Sequence, residues 1–326
     1  MQIVLARPRG FCAGVTRAIE IVERALAIHG APVYVFHEIV HNGYVVRDLE
    51  RKGAVFVDEV SAIPRGAVTV FSAHGVAASV EREARGRNLE IIDATCPLVA
   101  KVHLQVQRFV RQGRSVVLIG HAGHDEVVGT LGKVPQPIHV VASLADIARL
   151  PLPPGAAVAY VTQTTLSVDD TRDLIAALAS RYPDLEGPEL EDICYATHNR
   201  QQAVKQIAGE VDVMLVVGAS NSSNSHRLQE VAAHCGCAAH LVDDAGAIDP
   251  QWLAGAQRVG VTAGASAPDY LVDGVIRRLR ELGASSEIEM GSLVENVTFR
   301  LPAAVLRRHP PRTAEPVGQP AFAGLL

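Results

Sequence analysis

DATCPLVAKVHLQV, Asp93 to Val106, sets a cysteine between the end of an apolar run and the start of a helix. Leu89, Ile91 and Ile92 read as the end of a buried strand. Pro97 suits the first helical position, because its missing N–H is one no helix uses there. Leu98, Val102, Gln105 and Val106 then follow helical spacing. Cys96 therefore stands at the positive end of a helix dipole, where a thiolate is favoured over a thiol. A lone cysteine is more often a buried, inert side chain, so the stretch acquires meaning only if it recurs.

It recurs on either side. IVLARPRGFCAGVTRAIEIV surrounds Cys12 and LEDICYATHNRQQAVKQI surrounds Cys194, 84 residues before Cys96 and 98 after it. A second element follows each cysteine: PVYVFHEIVHNGYVVRDL, SVVLIGHAGHDEVVGTL and DVMLVVGASNSSNSHRLQEV. Their polar centres, His41, His124 and Ser222, lie 29, 28 and 28 residues beyond the cysteine. A short edge-like strand comes third in each case. A strand ending in a polar loop comes fourth: AVTVFSAHGVAASV, AVAYVTQTTLSVDDT and RVGVTAGASAPDYLV.

Internal periodicity of this length signals repeated structural units. Apolar strands alternating with helices predict an α/β fold with mainly parallel sheets. Three units are expected, over residues 1–95, 96–193 and 194–300, related by a pseudo-threefold and packed as a trefoil around a central cavity. Residues 301–326, ending in RRHPPRTAEPVGQPAFAGLL, are Pro-rich without periodicity and read as a disordered extension.

The chain has 326 residues, 48% hydrophobic and 20% charged, which describes an ordinary globular protein. A net charge of −5 and 4% aromatic residues argue against nucleic-acid binding. No apolar run of about 18 residues occurs, so no membrane span is expected. The N-terminus lacks a signal-peptide pattern and five cysteines make no disulfide framework, so a cytoplasmic location is expected.

If the units converge, Cys12, Cys96 and Cys194 meet at the centre. Three soft thiolates suit zinc, with a further ligand or an open position, or an iron–sulfur cluster with one iron left free. Cys235 and Cys237, in AAHCGCAAHLV, fall outside the repeated position and read as structural or incidental. The loops at the strand ends hold His41, His74, His121, His124, Glu126, Thr164, Thr165, Ser222, Ser223, Asn224 and Ser266, with almost no Lys or Arg. Hydroxyls, imidazoles and helix N-termini can hold a phosphate or diphosphate, and imidazole protonation would tune its affinity near neutral pH. Glu126 reads two ways: a general acid raised in pKa by a dry cavity, or a carboxylate favouring a helix first turn. P-loop, nucleophile-elbow and dinucleotide fingerprints are all absent.

Several segments carry a family resemblance in order: GFCAGVTRAIEIVERAL, HEIVHNGYVV, FSAHGVA, DATCPLVAKVH, GHAGHDEVVGT, TQTTLSVDDT, DICYAT, NSSNS and TAGASAPD. Over about residues 1–300 the chain resembles the 4-hydroxy-3-methylbut-2-enyl diphosphate reductases, the IspH/LytB family. The resemblance implies an oxidoreductase of isoprenoid precursor synthesis. It would convert its allylic diphosphate, by two-electron, two-proton reductive dehydroxylation, to isopentenyl and dimethylallyl diphosphates. It also implies one [4Fe–4S] cluster on Cys12, Cys96 and Cys194 with one open iron, and reduced ferredoxin or flavodoxin as electron donor. His41, His74, His124, Ser222, Ser223, Asn224 and Ser266 would hold the diphosphate. Glu126 would supply protons, with Thr164 and Thr165 beside the substrate hydroxyl. The competing readings are a zinc-dependent phosphoesterase and a non-catalytic iron–sulfur sensor or electron carrier.

Overall fold

Val- and Ile-rich runs buried on both faces pair most readily as parallel strands joined by helices. The computed structural model describes residues 1–188 and 192–306, and the runs form three separate sheets there. The strands are β1 (Gln2–Ala6), β2 (Val33–Phe36), β3 (Ala54–Val57), β4 (Val68–Phe71), β5 (Glu90–Asp93) and β6 (Ser115–Ile119). They continue as β7 (His139–Val141), β8 (Val158–Thr162), β9 (Val213–Val217), β10 (Ala238–Val242), β11 (Arg258–Ala263) and β12 (Ser286–Met290). The first sheet runs β3-β2-β4-β5, the second β7-β6-β8 and the third β10-β9-β11-β1-β12. Every ladder among the described residues is parallel.

Side chains alternate between faces along a strand, so each sheet feeds two cores. On β1, Ile3 and Leu5 enter one apolar cluster while Val4 and Ala6 enter the opposite one. On β6, Val117 and Ile119 face one side and Val116 and Leu118 the other.

The position of β1 differs from the repeat reading, which put it at the head of the first unit. It lies inside the third sheet, with Val4 opposite Gly260 on one side and Ile288 on the other. The reason lies in how the cysteines are delivered. β5 is the outer strand of the first sheet and leads into Cys96 of the second unit. Beside β8, Glu186 makes a single parallel bridge to Ala159 before the chain reaches Cys194. β1 occupies the matching place in the third sheet and leads into Cys12. Each cysteine thus leaves one unit's sheet and opens the next unit's first helix, which puts all three at the seams. The LEDIC segment is a second difference: Asp192 and Ile193 form a bend, and the strand-like contact comes earlier, at Glu186.

After β12, Gly291 adopts φ +115°, and a Cβ there would lie 2.4 Å from the Arg7 carbonyl oxygen, so the turn requires glycine. The chain then runs as an irregular strap to a short helix, Ala303–Leu306. Leu301 and Val305 pack into the first unit's core, Val305 being 2% exposed. The expected disordered extension from 301 is therefore corrected for 301–306, where burial of Val305 outweighs the polar, Pro-rich composition. Residues 307–326 lie outside the described residues.

Candidate functional site

Cys12, Cys96 and Cys194 are each the residue just before a helix: Ala13–His29, Pro97–Arg111 and Tyr195–Ala208. None of these helices has an acidic residue in its first turn. The positive helix ends favour thiolate, while burial favours thiol. Burial prevails: it pushes Cys96 up to about 12 and Cys194 up to about 11, and the neighbouring cysteines add to both. Against this, the Thr197 N–H donates to the Cys194 sulfur at 3.4 Å. Among the described residues no Lys or Arg lines the cavity these sulfurs face. Cys96 and Cys194 are thus protonated donors that a soft, cationic group would deprotonate on binding.

The space between the sulfurs is kept open by Gly14. A Cβ there would lie 2.9 Å from the Cys96 sulfur and 3.7 Å from the Cys12 sulfur. The three sulfurs are not among the described groups whose donor atoms all come within 4.8 Å of one another; His41, His74 and Asp125 form such a group. Three sulfurs on one tetrahedral zinc would stand only about 3.8 Å apart, given bonds near 2.3 Å. The donor set therefore fits the corners of a cluster better than one zinc ion.

Opposite the sulfurs, three imidazoles project from strand ends. His41 and His74 stack with ring centroids 4.0 Å apart, and His124 meets them edge-on at 5.2 and 6.0 Å. Burial first, and the neighbouring imidazoles second, hold His124 down to about 4 and His74 well below its ordinary range. Asp125 faces the stack, 3.9 Å from His41 Nε2 and 4.0 Å from His74 Nδ1. It also pairs with His37 at 3.1 Å, a bond that holds the carboxylate down to about 2. His41 Nε2, His74 Nδ1 and both amide atoms of Asn224 are buried without a hydrogen-bond partner. An unsatisfied buried polar group costs about 1–3 kcal/mol, so this wall is built for a polar ligand.

The third unit closes the wall. Ser222 caps the helix Ser223–His234, its Oγ accepting the Ser225 N–H. That helix end comes close to its sheet because β9 and β11 are each followed by glycine: a Cβ on Gly218 or Gly264 would lie 2.2 or 2.1 Å from the Ser225 Oγ. Ser266 Oγ donates to the His41 carbonyl at 3.0 Å, and Thr165 Oγ1 donates to Ser223 Oγ at 3.1 Å. The loops of all three units are thereby joined.

Glu126 sits between the two walls, 3% exposed. The Thr164 N–H donates to its Oε1 and the Thr164 hydroxyl to its Oε2, both at 2.7 Å. Burial raises its pKa to about 7 although both Thr164 bonds pull it down. The Thr164 carbonyl in turn accepts the Cys194 N–H at 3.0 Å, which links the acid to a cysteine through one residue. Glu126 belongs to the first turn of the helix Asp125–Leu131, and its carboxyl group turns into the cavity.

One cavity of about 110 Å³ is lined by Cys12, Cys96, Cys194, His41, His74, His124, Glu126, Thr164, Thr165, Ser222, Ser223, Asn224 and Ser266. His121 lies outside it, 2.6 Å from an Arg227 nitrogen. Cys235 is exposed and Cys237 packs in a core of the third unit, apart from the centre. Sequence reasoning missed Gly14, His37 and Asp125. Gly14 carries no signal beyond its place two residues after a cysteine. Asp125 was legible only as an acid in a helix first turn.

The family described as LytB protein matches residues 3–280. A Bradyrhizobium diazoefficiens protein named 4-hydroxy-3-methylbut-2-enyl diphosphate reductase 2 is 58% identical over 303 residues, covering 93% of this chain and 98% of that relative. The solved structure of the E-1-hydroxy-2-methyl-but-2-enyl-4-diphosphate reductase from Plasmodium falciparum is similar with a TM-score of 0.90 and 35% identity, over 94% of this chain and 96% of that one. A solved structure of (E)-4-hydroxy-3-methyl-but-2-enyl diphosphate reductase, the terminal enzyme of the non-mevalonate pathway, is similar with a TM-score of 0.62 and 34% identity. It covers 86% of this chain and 99% of that one.

Proposed function

The chain belongs to the LytB protein family, and on that premise we propose that its central cavity reduces 4-hydroxy-3-methylbut-2-enyl diphosphate to isopentenyl and dimethylallyl diphosphates. Two electrons and two protons enter, the allylic C–O bond breaks, one C–H bond forms, and the hydroxyl leaves as water. One observation carries the reading: three cysteines, a carboxyl group with a pKa of about 7 and a set of orphaned buried polar atoms face a single chamber.

Cys12, Cys96 and Cys194 would hold a [4Fe–4S] cluster with one iron open. When bound, it supplies the electrons and a Lewis-acidic site for the hydroxyl group. His41, His74 and His124, with the Asn224 amide and the hydroxyls of Ser222, Ser223, Ser266 and Thr165, receive the diphosphate at a helix N-terminus. The Thr164 hydroxyl orients Glu126 beside the substrate hydroxyl. Protonated Glu126 then delivers the proton that turns the leaving oxygen into water. The bound diphosphate is the nearest remaining acid for the second proton, which goes to either end of the allyl group. Reduced ferredoxin or flavodoxin supplies the electrons in the cytoplasm. Five free thiols suit a reducing compartment, and no described helix is long and apolar enough to cross a membrane.

Visible and paramagnetic-resonance spectra of anaerobically purified protein test the reading. Expected are iron and acid-labile sulfide in equal amounts and a signal that the allylic diphosphate perturbs. Colourless protein holding zinc overturns it, and so does a cluster blind to the diphosphate.

Three further results are expected. The pKa of Glu126 is raised, so its proton is present below about 7 and lost above. kcat at saturating substrate is therefore flat on the acid side of pH 7 and falls about tenfold per unit above it, as a pH–rate profile measures. The depressed pKa values of His74 and His124 mean that both enter neutral, and that an anion draws protons onto them. Calorimetry with inorganic diphosphate should show proton uptake and affinity that weakens as pH rises. His41→Ala should weaken substrate binding about 10- to 100-fold, read as KM, with a smaller change in kcat.

A further inference from the structure

Each cysteine is presented by a segment whose backbone carbonyls are held by arginines, and one strap ties those arginines together. Arg200, buried with a side chain 1% exposed, donates to the Gly10 carbonyl through Nε at 3.0 Å and Nη2 at 2.8 Å. It also reaches the Phe11 carbonyl at 3.2 Å and the Ala196 carbonyl at 2.9 Å. One guanidinium thus grips the loop just before Cys12 and the turn just after Cys194. The Ala13 N–H adds a second tie, donating to the Tyr195 hydroxyl at 3.3 Å.

Glu295 of the strap completes the grip. Its Oε1 accepts from Arg200 Nη1 and from the Asn199 amide, each at 3.0 Å, and its Oε2 accepts from Arg200 Nη2 at 3.2 Å. Five residues on, the Arg300 carbonyl accepts from Arg17 Nε at 2.8 Å. The Nη1 of Arg17 in turn donates to the Ala94 and Thr95 carbonyls, both at 3.1 Å, directly before Cys96. Beyond it, Leu301 and Val305 anchor the strap in the first unit's core. The strap begins at the edge of the third sheet, so it spans from one unit to another and touches the supports of all three cysteines.

We propose that Arg200, Glu295 and Arg17 are positioning residues, and that the strap Gly291–Pro302 is a clasp that sets how long the three sulfurs retain their cluster. This rests on the cluster reading above. A carboxylate partner is needed because an unpaired buried guanidinium is costly, and a planar fork is needed because Arg200 serves four acceptors at once. Release of Glu295 would loosen the Cys12 and Cys194 supports together, whereas an ordinary core defect elsewhere would loosen neither.

The test follows bleaching of the cluster absorbance in full-length anaerobic protein mixed with an iron chelator. Alkylation of Cys12, Cys96 and Cys194 in the cluster-free protein is followed alongside. Glu295→Ala should bleach about tenfold faster or more, as loss of a charge-assisted hydrogen-bond set implies, and should expose Cys12 and Cys194 to alkylation more than Cys96. Glu295→Gln, which keeps shape and an acceptor, should fall between it and the parent. Leu178→Ala, a cavity in the second unit's core, should lower Tm and leave both rates unchanged. Parent-like rates in Glu295→Ala, or equal acceleration in Leu178→Ala, overturn the clasp alone. Parent protein that assembles no cluster overturns the underlying reading, and the clasp with it.

Discussion

Glu126→Gln should lower kcat by about 10²- to 10⁴-fold while leaving the cluster spectrum and substrate affinity close to those of the parent. Glutamine keeps both contacts with Thr164. Its carbonyl oxygen accepts the N–H that now reaches Oε1, and its amide donates to the hydroxyl that now reaches Oε2. What it lacks is a transferable proton. The same substitution has a sign that separates chemistry from folding. The Glu126 pKa is raised in the folded chain, so ionisation costs stability as pH climbs from the ordinary carboxyl range of 4.5 to about 7. Glu126→Gln should therefore have the higher Tm at pH 8, an advantage that fades as pH falls from about 7 to 4.5 and is gone below it. Single-turnover kinetics and a Tm series measure the two effects. Undiminished turnover would refute the proton-donor role.

Serine at Cys12, Cys96 or Cys194 should abolish turnover, roughly a thousandfold or more, because the electron source is lost with the cluster. A serine hydroxyl is a hard, poorly ionised donor where three soft sulfurs are required. Iron and sulfide content after anaerobic reconstitution measures the effect directly. Serine at Cys235 or Cys237 should change neither quantity, since one is exposed and the other lies in a core of the third unit, apart from the cavity. A Cys96→Ser protein that kept both cluster and turnover would remove that residue from the ligand set.

The cysteine junctions were legible because each needs a local signal only: an apolar run, a cysteine, then helical spacing, opened at Cys96 by Pro97. Spacing of 28 or 29 residues likewise placed His41, His124 and Ser222 at equivalent strand ends before any coordinates. Membership of a sheet has no such signal. The alternation in QIVLA fixes which residues share a face of β1 but not which strands flank it, so its insertion into the third sheet was invisible. Gly14 and Arg200 were missed for a related reason. A glycine within a helix and an arginine on one look ordinary until the partners they serve, sulfurs and carbonyls from distant segments, arrive beside them. Val305 was hidden by its neighbours, since Pro302 and the basic residues after it mask a single anchoring side chain.

The seat of β1 orders events during synthesis. Gln2 to Leu5 leave the ribosome long before their ladder partners, Arg258–Val261 and Ser286–Glu289. That strand has no ladder partner until residues 258–289 have been translated, so the Gly10 loop and Cys12 that follow it lack their flanking support until then. A nascent chain that ends before Arg258 therefore lacks both strands that flank β1 in the finished fold.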